Sequence, residues 1–474
     1  MLLVFKIDVK NYFLLLISVF SFNIIAQENN YWYHQYGAKS SLLCGAAVAT
    51  YFDNGAIYYN PATLCFKDSG NISLSANLYN AEILKRQNAL GEGLNLTSTN
   101  FNFSPQIVSG NKKIGKKAEL EFILMSRADV QVNHNLSFNK IYNDTLLFYS
   151  NNSLYVASYN YRKRVLDEWA GISMSFKLTD KIGLGIASFV SYRFSRYAMD
   201  LKASSIGLYQ YYQPVSKSDS SLSIISNTIS SINKIGFVYQ GEKNNFGIAV
   251  TLPSIAIYGK SELEYAIFIN DPNNIAQPLD VYMKRSNLKT QYKYPLSLSI
   301  GLTRKLKRSK YHFTGEYFFP VKKYSTIVIP VNAPEPNSGD VVLNAENIKS
   351  FEEAKKNIFN FAFGWERTIK GSTELLLGFA TDFNSRDDYW DGISTVNYAL
   401  NQEDFNIYHF SIGVGFQHKK NNIAVGLITS KGNNYTQQIA DFQNPTAFSK
   451  FFGFNNYLMN TLFSSYGIVV GLTY

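Results

Sequence analysis

Leu296-Ser297-Leu298-Ser299-Ile300-Gly301-Leu302-Thr303 alternates without a fault, with leucine and isoleucine on one face and serine, glycine and threonine on the other. An extended chain turns successive side chains to opposite faces, so a period of two marks a strand with one apolar face and one small or polar face. The same pattern recurs in both directions from this stretch. Ile182, Leu184 and Ile186 alternate with Gly183, Gly185 and Ala187, and Phe359, Phe361, Phe363 and Trp365 with Asn360, Ala362, Gly364 and Glu366. Phe410, Ile412, Val414 and Phe416 alternate with Ser411, Gly413, Gly415 and Gln417, and the chain stops on YGIVVGLTY, Tyr466 to Tyr474. Short turns and long polar loops join these stretches in strict alternation, and the strand count comes to fourteen.

A soluble sandwich also shows period-two strands. Three features select a membrane barrel instead. The apolar face continues for the ~9–11 residues that a tilted spanning strand needs, the opposite face suits a lumen, and the turn lengths alternate as in outer-membrane barrels. In lipid every backbone N–H and C=O must be paired internally, so spanning strands close into a barrel. The expected architecture is all-β: a transmembrane antiparallel 14-stranded β-barrel with long loops at 80–98, 136–164, 200–228, 259–290, 321–353, 385–402 and 433–459.

Composition agrees. Of 474 residues 17% are charged and 15% aromatic, and mean hydropathy is slightly negative. One compact apolar run, residues 12–25, follows Lys6 and Lys10 and precedes Ala26-Gln27. A basic start, an apolar run and a small residue at the cut describe a secretory signal peptide over 1–26; an uncleaved anchor would need a longer run. The formal charge of +10 sits largely in turns, at Lys112, Lys113, Lys116 and Lys117, at residues 307–310, and at Lys419 and Lys420. Such runs are solvated faces or contacts for anionic headgroups and envelope proteins, and no nucleic-acid-binding motif accompanies them. The two cysteines, Cys44 and Cys65, are either a disulfide, which an exported protein permits, or two small packing residues.

Residues 27–69 do not alternate. They are rich in glycine and alanine, yet Leu42, Leu43, Val48, Ile57, Tyr58 and Tyr59 demand burial. A fourteen-strand lumen is too wide for wall side chains to fill, so a compact N-terminal hatch or plug is expected at 27–69, with the barrel over 70–474. The run Gly45-Ala46-Ala47-Val48-Ala49, followed by Asp53, Gly55-Ala56, Tyr58-Tyr59 and Asn60-Pro61-Ala62, resembles the N-terminal hatch of the long-chain fatty-acid transporter family of outer-membrane proteins. The wealth of asparagine, lysine and tyrosine resembles Bacteroidetes members. The resemblance implies a Gram-negative outer-membrane channel for passive uptake of fatty-acid-like hydrophobic molecules, with membrane lipid and an apolar ligand as partners. Some members of the superfamily instead serve as partner or scaffold barrels of protein-secretion systems, and the long loops suit both roles.

No Gly-x-Ser-x-Gly, His-Glu-x-x-His, phosphate loop or Cys-x-x-Cys is present, so no catalytic residue, metal or cofactor is expected. Glu121, Arg127, His312, Glu316, Glu366 and His409 fall on the inward parity of their strands, as they must, since a charge facing lipid costs ~2–4 kcal/mol at midplane for Lys or Arg. Phe442, Phe448, Phe451 and Phe452 form an aromatic loop cluster that either captures ligand or packs on the barrel rim. Ser126, Arg127, Ala128 and Asp129 crowd polar groups together, Arg127 and Asp129 sharing an inward parity; either the strand leaves the bilayer here with its charges at the outer rim, or the wall is irregular, as the resemblance implies somewhere in the third strand. Gly183 and Gly185 are the small inward residues expected beside such an opening.

Overall fold

The computed structural model describes residues 30–67, 72–115, 117–143, 152–208, 215–270, 279–330, 351–387, 405–418, 421–445, 452–453 and 457–473. The cut after residue 26, Phe448, Phe451 and the terminal Tyr474 lie outside these. The strands are β1 (Ile72–Gln87), β2 (Leu96–Ile114), β3 (Ala118–Tyr142), β4 (Ser153–Lys177), β5 (Ile182–Gly207), β6 (Val215–Gln240), β7 (Asn244–Thr251), β8 (Ile255–Asn270) and β9 (Leu279–Lys289). They continue as β10 (Ser297–Lys305), β11 (Ser309–Phe318), β12 (Val321–Ile327), β13 (Phe351–Lys355), β14 (Ile358–Lys370), β15 (Thr373–Asp382), β16 (Asn406–His418), β17 (Asn421–Gln437) and β18 (Leu458–Thr473).

Fourteen of them close an antiparallel ring, in which β5 pairs with β6 and β1 with β18; β8–β9 and β12–β13 stand outside the ring. Closure leaves no edge, which a strand in hydrocarbon requires. β10 shows how sequence sets the wall: Leu298, Ile300 and Leu302 are exposed on the outside while Ser297, Ser299 and Thr303 are buried inside. The outside is thus an apolar band for lipid.

Most of the expected long loops are partly strand. The segment 136–164 holds the ends of β3 and β4, paired as far as Tyr142↔Ser153. The segment 200–228 holds the ends of β5 and β6, paired to Ile206↔Val215. The segment 259–290 carries β8 and β9, and 321–353 carries β12 and the start of β13. The cause is physical. Beyond the bilayer neither face of a strand must be apolar, so backbone pairing continues after the alternation has faded. β6 shows the transition: residues Lys234 to Gln240 pair with β7, whereas Lys217 to Ser231 pair with β8, which leans off the ring.

The segment 30–67 lies inside the ring. It has two single-turn helices, Ala38–Ser41 and Ala56–Tyr59, and a 3-10 helix, Pro61–Phe66. Cys44 and Cys65 are free thiols, so the disulfide alternative is replaced by packing: Cys44 Sγ lies 3.1 Å from Ser411 Oγ, and Cys65 bonds the Ala62 carbonyl at 3.2 Å.

Candidate functional site: the filled lumen and its wall

The glycine/alanine and Asn-Pro-Ala residues build the turns of the inner segment. Gly45 takes φ 78°, a left-handed conformation that suits glycine. The Asp53 carboxylate accepts from Ser40 N (3.0 Å), Ser40 Oγ (2.9 Å) and Gly55 N (3.0 Å), tying the helix at Ala38 to the turn before Ala56. Burial pushes the Asp53 carboxyl up from its ordinary pKa, and these three donors oppose the shift. Asn60 is fully buried and satisfied on both ends. Its Nδ2 donates to the carbonyls of Val48 (2.7 Å) and Phe237 (3.0 Å), and its Oδ1 accepts from Ala62 N at 3.1 Å, capping the helix that begins at Pro61.

The wall accommodates this segment by omitting side chains. A Cβ at Gly185 would collide with the Pro61 and Ala62 backbone, and one at Gly183 would collide with Cys65 and the Ala62 carbonyl. These glycines are therefore the seat of the Asn-Pro-Ala turn, not the border of an opening.

All six inward polar candidates are buried, and the structure shows what each touches. Lys39 Nζ reaches Glu366 at 3.0 Å and Glu374 at 2.5 Å; Glu366 also pairs with Lys310 and lies 3.7 Å from His312 Nε2. Burial alone would lower the Lys39 pKa, but the two carboxylates outweigh it and raise it. Glu316 accepts from Trp32 Nε1 (2.8 Å) and Ser297 Oγ (2.6 Å). His409 Nδ1 lies 2.7 Å from Ser430 Oγ. Glu121 lies in the field of Lys67, whose Nζ donates to Asn54 Oδ1 (2.9 Å) and Asn111 Oδ1 (2.8 Å). The inner segment is thus held to the wall by ion pairs and hydrogen bonds at several heights.

Arg127 belongs to a cluster that sequence reasoning missed. Asp167, fully buried, accepts from Trp169 Nε1 (2.9 Å), Ser191 Oγ (2.8 Å) and the Tyr294 hydroxyl, with the guanidinium nitrogens of Arg127 at 3.6 Å and Arg193 at 3.8 Å. Arg127 stacks 5.1 Å from the Tyr294 ring and Arg193 4.1 Å from that of Tyr292. The missed signal was the inward parity of Asp167, Trp169 and Ser173 on β4, which carries the alternation read from Ile172 back toward the expected loop at 136–164.

The wall departs from regularity beside this cluster. The β2–β3 ladder runs from Ile114↔Ala118 to Ile107↔Met125 and stops. Beyond that point β2 pairs with β1 and β3 with β4, and across the break Asn133 N donates to Ser98 Oγ at 2.9 Å. Pro105, just past the last pair, has no N–H to offer a ladder. On β3 the register slips between Ser126 and Ala128, so Arg127 and Ala128 together face Asp167. This bulge flips the parity of the strand. Met125 and Arg127 point inward before it, and Val130 and Val132 after it, so Asp129 is not an inward residue as the uninterrupted alternation suggests. Against the break lie the buried apolar side chains of Ile107, Ile123, Met125, Trp169 and Phe189. Hollows of about 220, 110 and 20 Å³ lie among the described residues.

At the outer rim Phe442 is fully buried among Tyr155, Tyr159 and Phe405, and Phe452 packs against that group half-buried. The Phe442 carbonyl accepts from Tyr142 at 3.3 Å.

A closed barrel with an apolar outer band, a folded N-terminal segment inside it and one interrupted seam is a transmembrane barrel with an occluded lumen. The fold is that of the FadL-type barrels. The chain is similar to a FadL homologue of Pseudomonas aeruginosa (TM-score 0.59, 13% identity, 94% of this chain and 98% of that one). It is similar as well to the toluene transporter TodX of Pseudomonas putida (TM-score 0.54, 14% identity, 93% and 98%) and to the toluene transporter TbuX of Ralstonia pickettii (TM-score 0.53, 10% identity, 93% and 98%). No protein-family model and no curated protein sequence matches the chain.

Proposed function

We propose that this protein is an outer-membrane channel for passive uptake of hydrophobic small molecules, with residues 27–69 acting as its hatch. The observation that carries the reading is the end of β2–β3 pairing at Ile107↔Met125, beside a buried apolar and aromatic lining. An apolar solute gains nothing from a water-filled pore. An unpaired stretch of wall beside a filled lumen offers it a route that avoids water, since transfer between apolar surroundings forfeits no hydrophobic free energy. The half-buried Phe452 of the rim supplies first contact, and the Arg127–Asp167–Arg193 group holds the bulge beside the unpaired stretch. Fatty acids, from the resemblance of the inner segment, and monoaromatic hydrocarbons, from the toluene transporters and hydrocarbon channels that share the fold, are the two ligand classes to try.

The test uses the bulge itself. Deleting Ala128 makes β3 face β4 one for one, and every later side chain keeps its face. Cells carrying the intact protein should take up a labelled fatty acid or toluene faster than empty-vector cells, and the deletion should lower uptake to near that background while the barrel still shifts on heating in gels. No uptake of any apolar solute by the intact protein, together with stable co-purification in a larger envelope complex, would replace this reading with that of a secretion-system partner barrel.

A further inference from the structure

One hollow of the molecule is on the outside of the wall. It measures about 900 Å³ and spans β16, β17, β18, β1 and β2. The register fixes its geometry. Phe410 pairs with Thr429, Thr429 with Tyr466, Tyr466 with Ala81, and Ala81 with Phe101, so these five side chains form one row across five strands. Thr429 and Ala81 are the small members of the row; Phe410, Tyr466 and Phe101 are large and exposed, Phe101 to 79%. Small residues make the floor and rings make the walls.

A smooth barrel is convex outside and offers no such hollow. Here β1 slips register against β18 between Asn77 and Tyr79, and against β2 between Asn77 and Asn80, directly before Asn80 and Ala81. Bulges bend a strand locally, and the bend places the concavity at this point.

One end of the hollow is charged. Lys431 is exposed; its Nζ donates to Ser464 Oγ at 2.9 Å and to the Tyr466 hydroxyl, and lies 4.2 Å from the Tyr466 ring centroid. Among the described ion pairs none joins Lys431 to a carboxylate. β17 starts at Asn421 at a short turn, and Lys431 lies ten residues further on. At ~3.3 Å per residue and a tilt of ~40° it sits roughly 25 Å up, at the far border of the apolar band. Lys85 follows on the same face of β1 as Ala81 and Ile83, again toward the outer end.

We propose that this hollow is a binding site for a phosphorylated, multiply acylated glycolipid of the outer leaflet, of the lipid A class. An acyl chain lies in the trough between Phe410, Tyr466 and Phe101, and a head-group phosphate takes the Lys431 ammonium. The depth of Lys431, which has no carboxylate partner among the described ion pairs, selects the outer leaflet and an anionic head; the trough selects an acyl chain over a soluble anion. The proposal rests on the outer-membrane location and not on transport.

The test is binding of purified bis-phosphorylated lipid A to the full-length barrel in detergent, read by native mass spectrometry, with dephosphorylated lipid A and phosphatidylglycerol as competitors. Lys431→Gln should weaken lipid A binding about fivefold, the effect of one cation at a membrane surface. Ala81→Phe, which fills the floor from the lipid side, should weaken it with the charge intact, and both variants should stay heat-modifiable. Equal binding by the wild type and both variants overturns the site. Equal competition by phosphatidylglycerol overturns the glycolipid assignment, and equal competition by the dephosphorylated lipid overturns the role of Lys431. Uptake of apolar solutes is read separately, so its failure leaves this result standing.

Discussion

Asn60 makes three hydrogen bonds from a fully buried position, two as donor and one as acceptor. Asn60→Ala removes a helix cap and leaves buried carbonyls unpaired, a combined loss on the order of 2–4 kcal/mol. Asn60→Asp keeps the cap but cannot donate, so it should fall near the alanine variant. Faster hydrogen exchange at residues 30–67 in both, with the barrel strands unchanged, is the expected result. Lys39→Met should loosen the same segment by roughly 3 kcal/mol, at the low end for a broken buried pair because Lys310 still neutralises Glu366. His34 adds a pH dependence. Burial, helped by Arg127, lowers its pKa from 6.5 to about 4. Between those values the released segment binds a proton that the packed one refuses, so packing weakens as pH falls from 6.5 toward 4. Asp53, raised by burial, acts in the opposite sense. The difference between wild type and His34→Gln in protection factors at pH 7 and pH 5 isolates the imidazole: the loss of protection on acidification should be smaller in the variant.

At the scale of the element, legibility followed the bilayer. β10, β14 and β16 could be read residue by residue because lipid demands one apolar face. The outer halves of β4 and β6 could not, since Tyr155, Tyr159 and Tyr161 line a polar and aromatic interior while their neighbours face water. The strand count survived because short turns and membrane spans are both marked in sequence. The bulge at Arg127 was visible only as crowded polar residues, and its parity flip was not, because one extra residue leaves no compositional trace. The Asp167 group was hidden for another reason: its members come from β3, β4, β5 and the stretch before β10, and only register brings them together. A consequence for β6 can be measured. Its two halves pair with different partners, so proline at Ser223, in the β8-paired half, should disturb exchange of β8 and the outer end of β5. Protection of β7 should not change.

At the scale of the molecule, the inner segment fills a ring too wide to fill itself. Removing residues 27–69 should raise single-channel conductance in planar bilayers well above that of the intact protein, and unchanged conductance would mean that this segment does not set the barrier. The seam between β1 and β18 carries a further implication, about order in time. The inner segment is joined to β1 by the chain, yet it also seats against the last strands: Ala38 packs where a Cβ on Gly471 would stand, and Leu42 lies against Gly413 and Gly426. Wrapped while the barrel is still an open, curling sheet, the amino-terminal part of the chain would offer a ready surface on which the carboxy-terminal strands are gathered before the final zip between β18 and β1. The part that blocks the finished lumen is then also the mould around which the wall is cast.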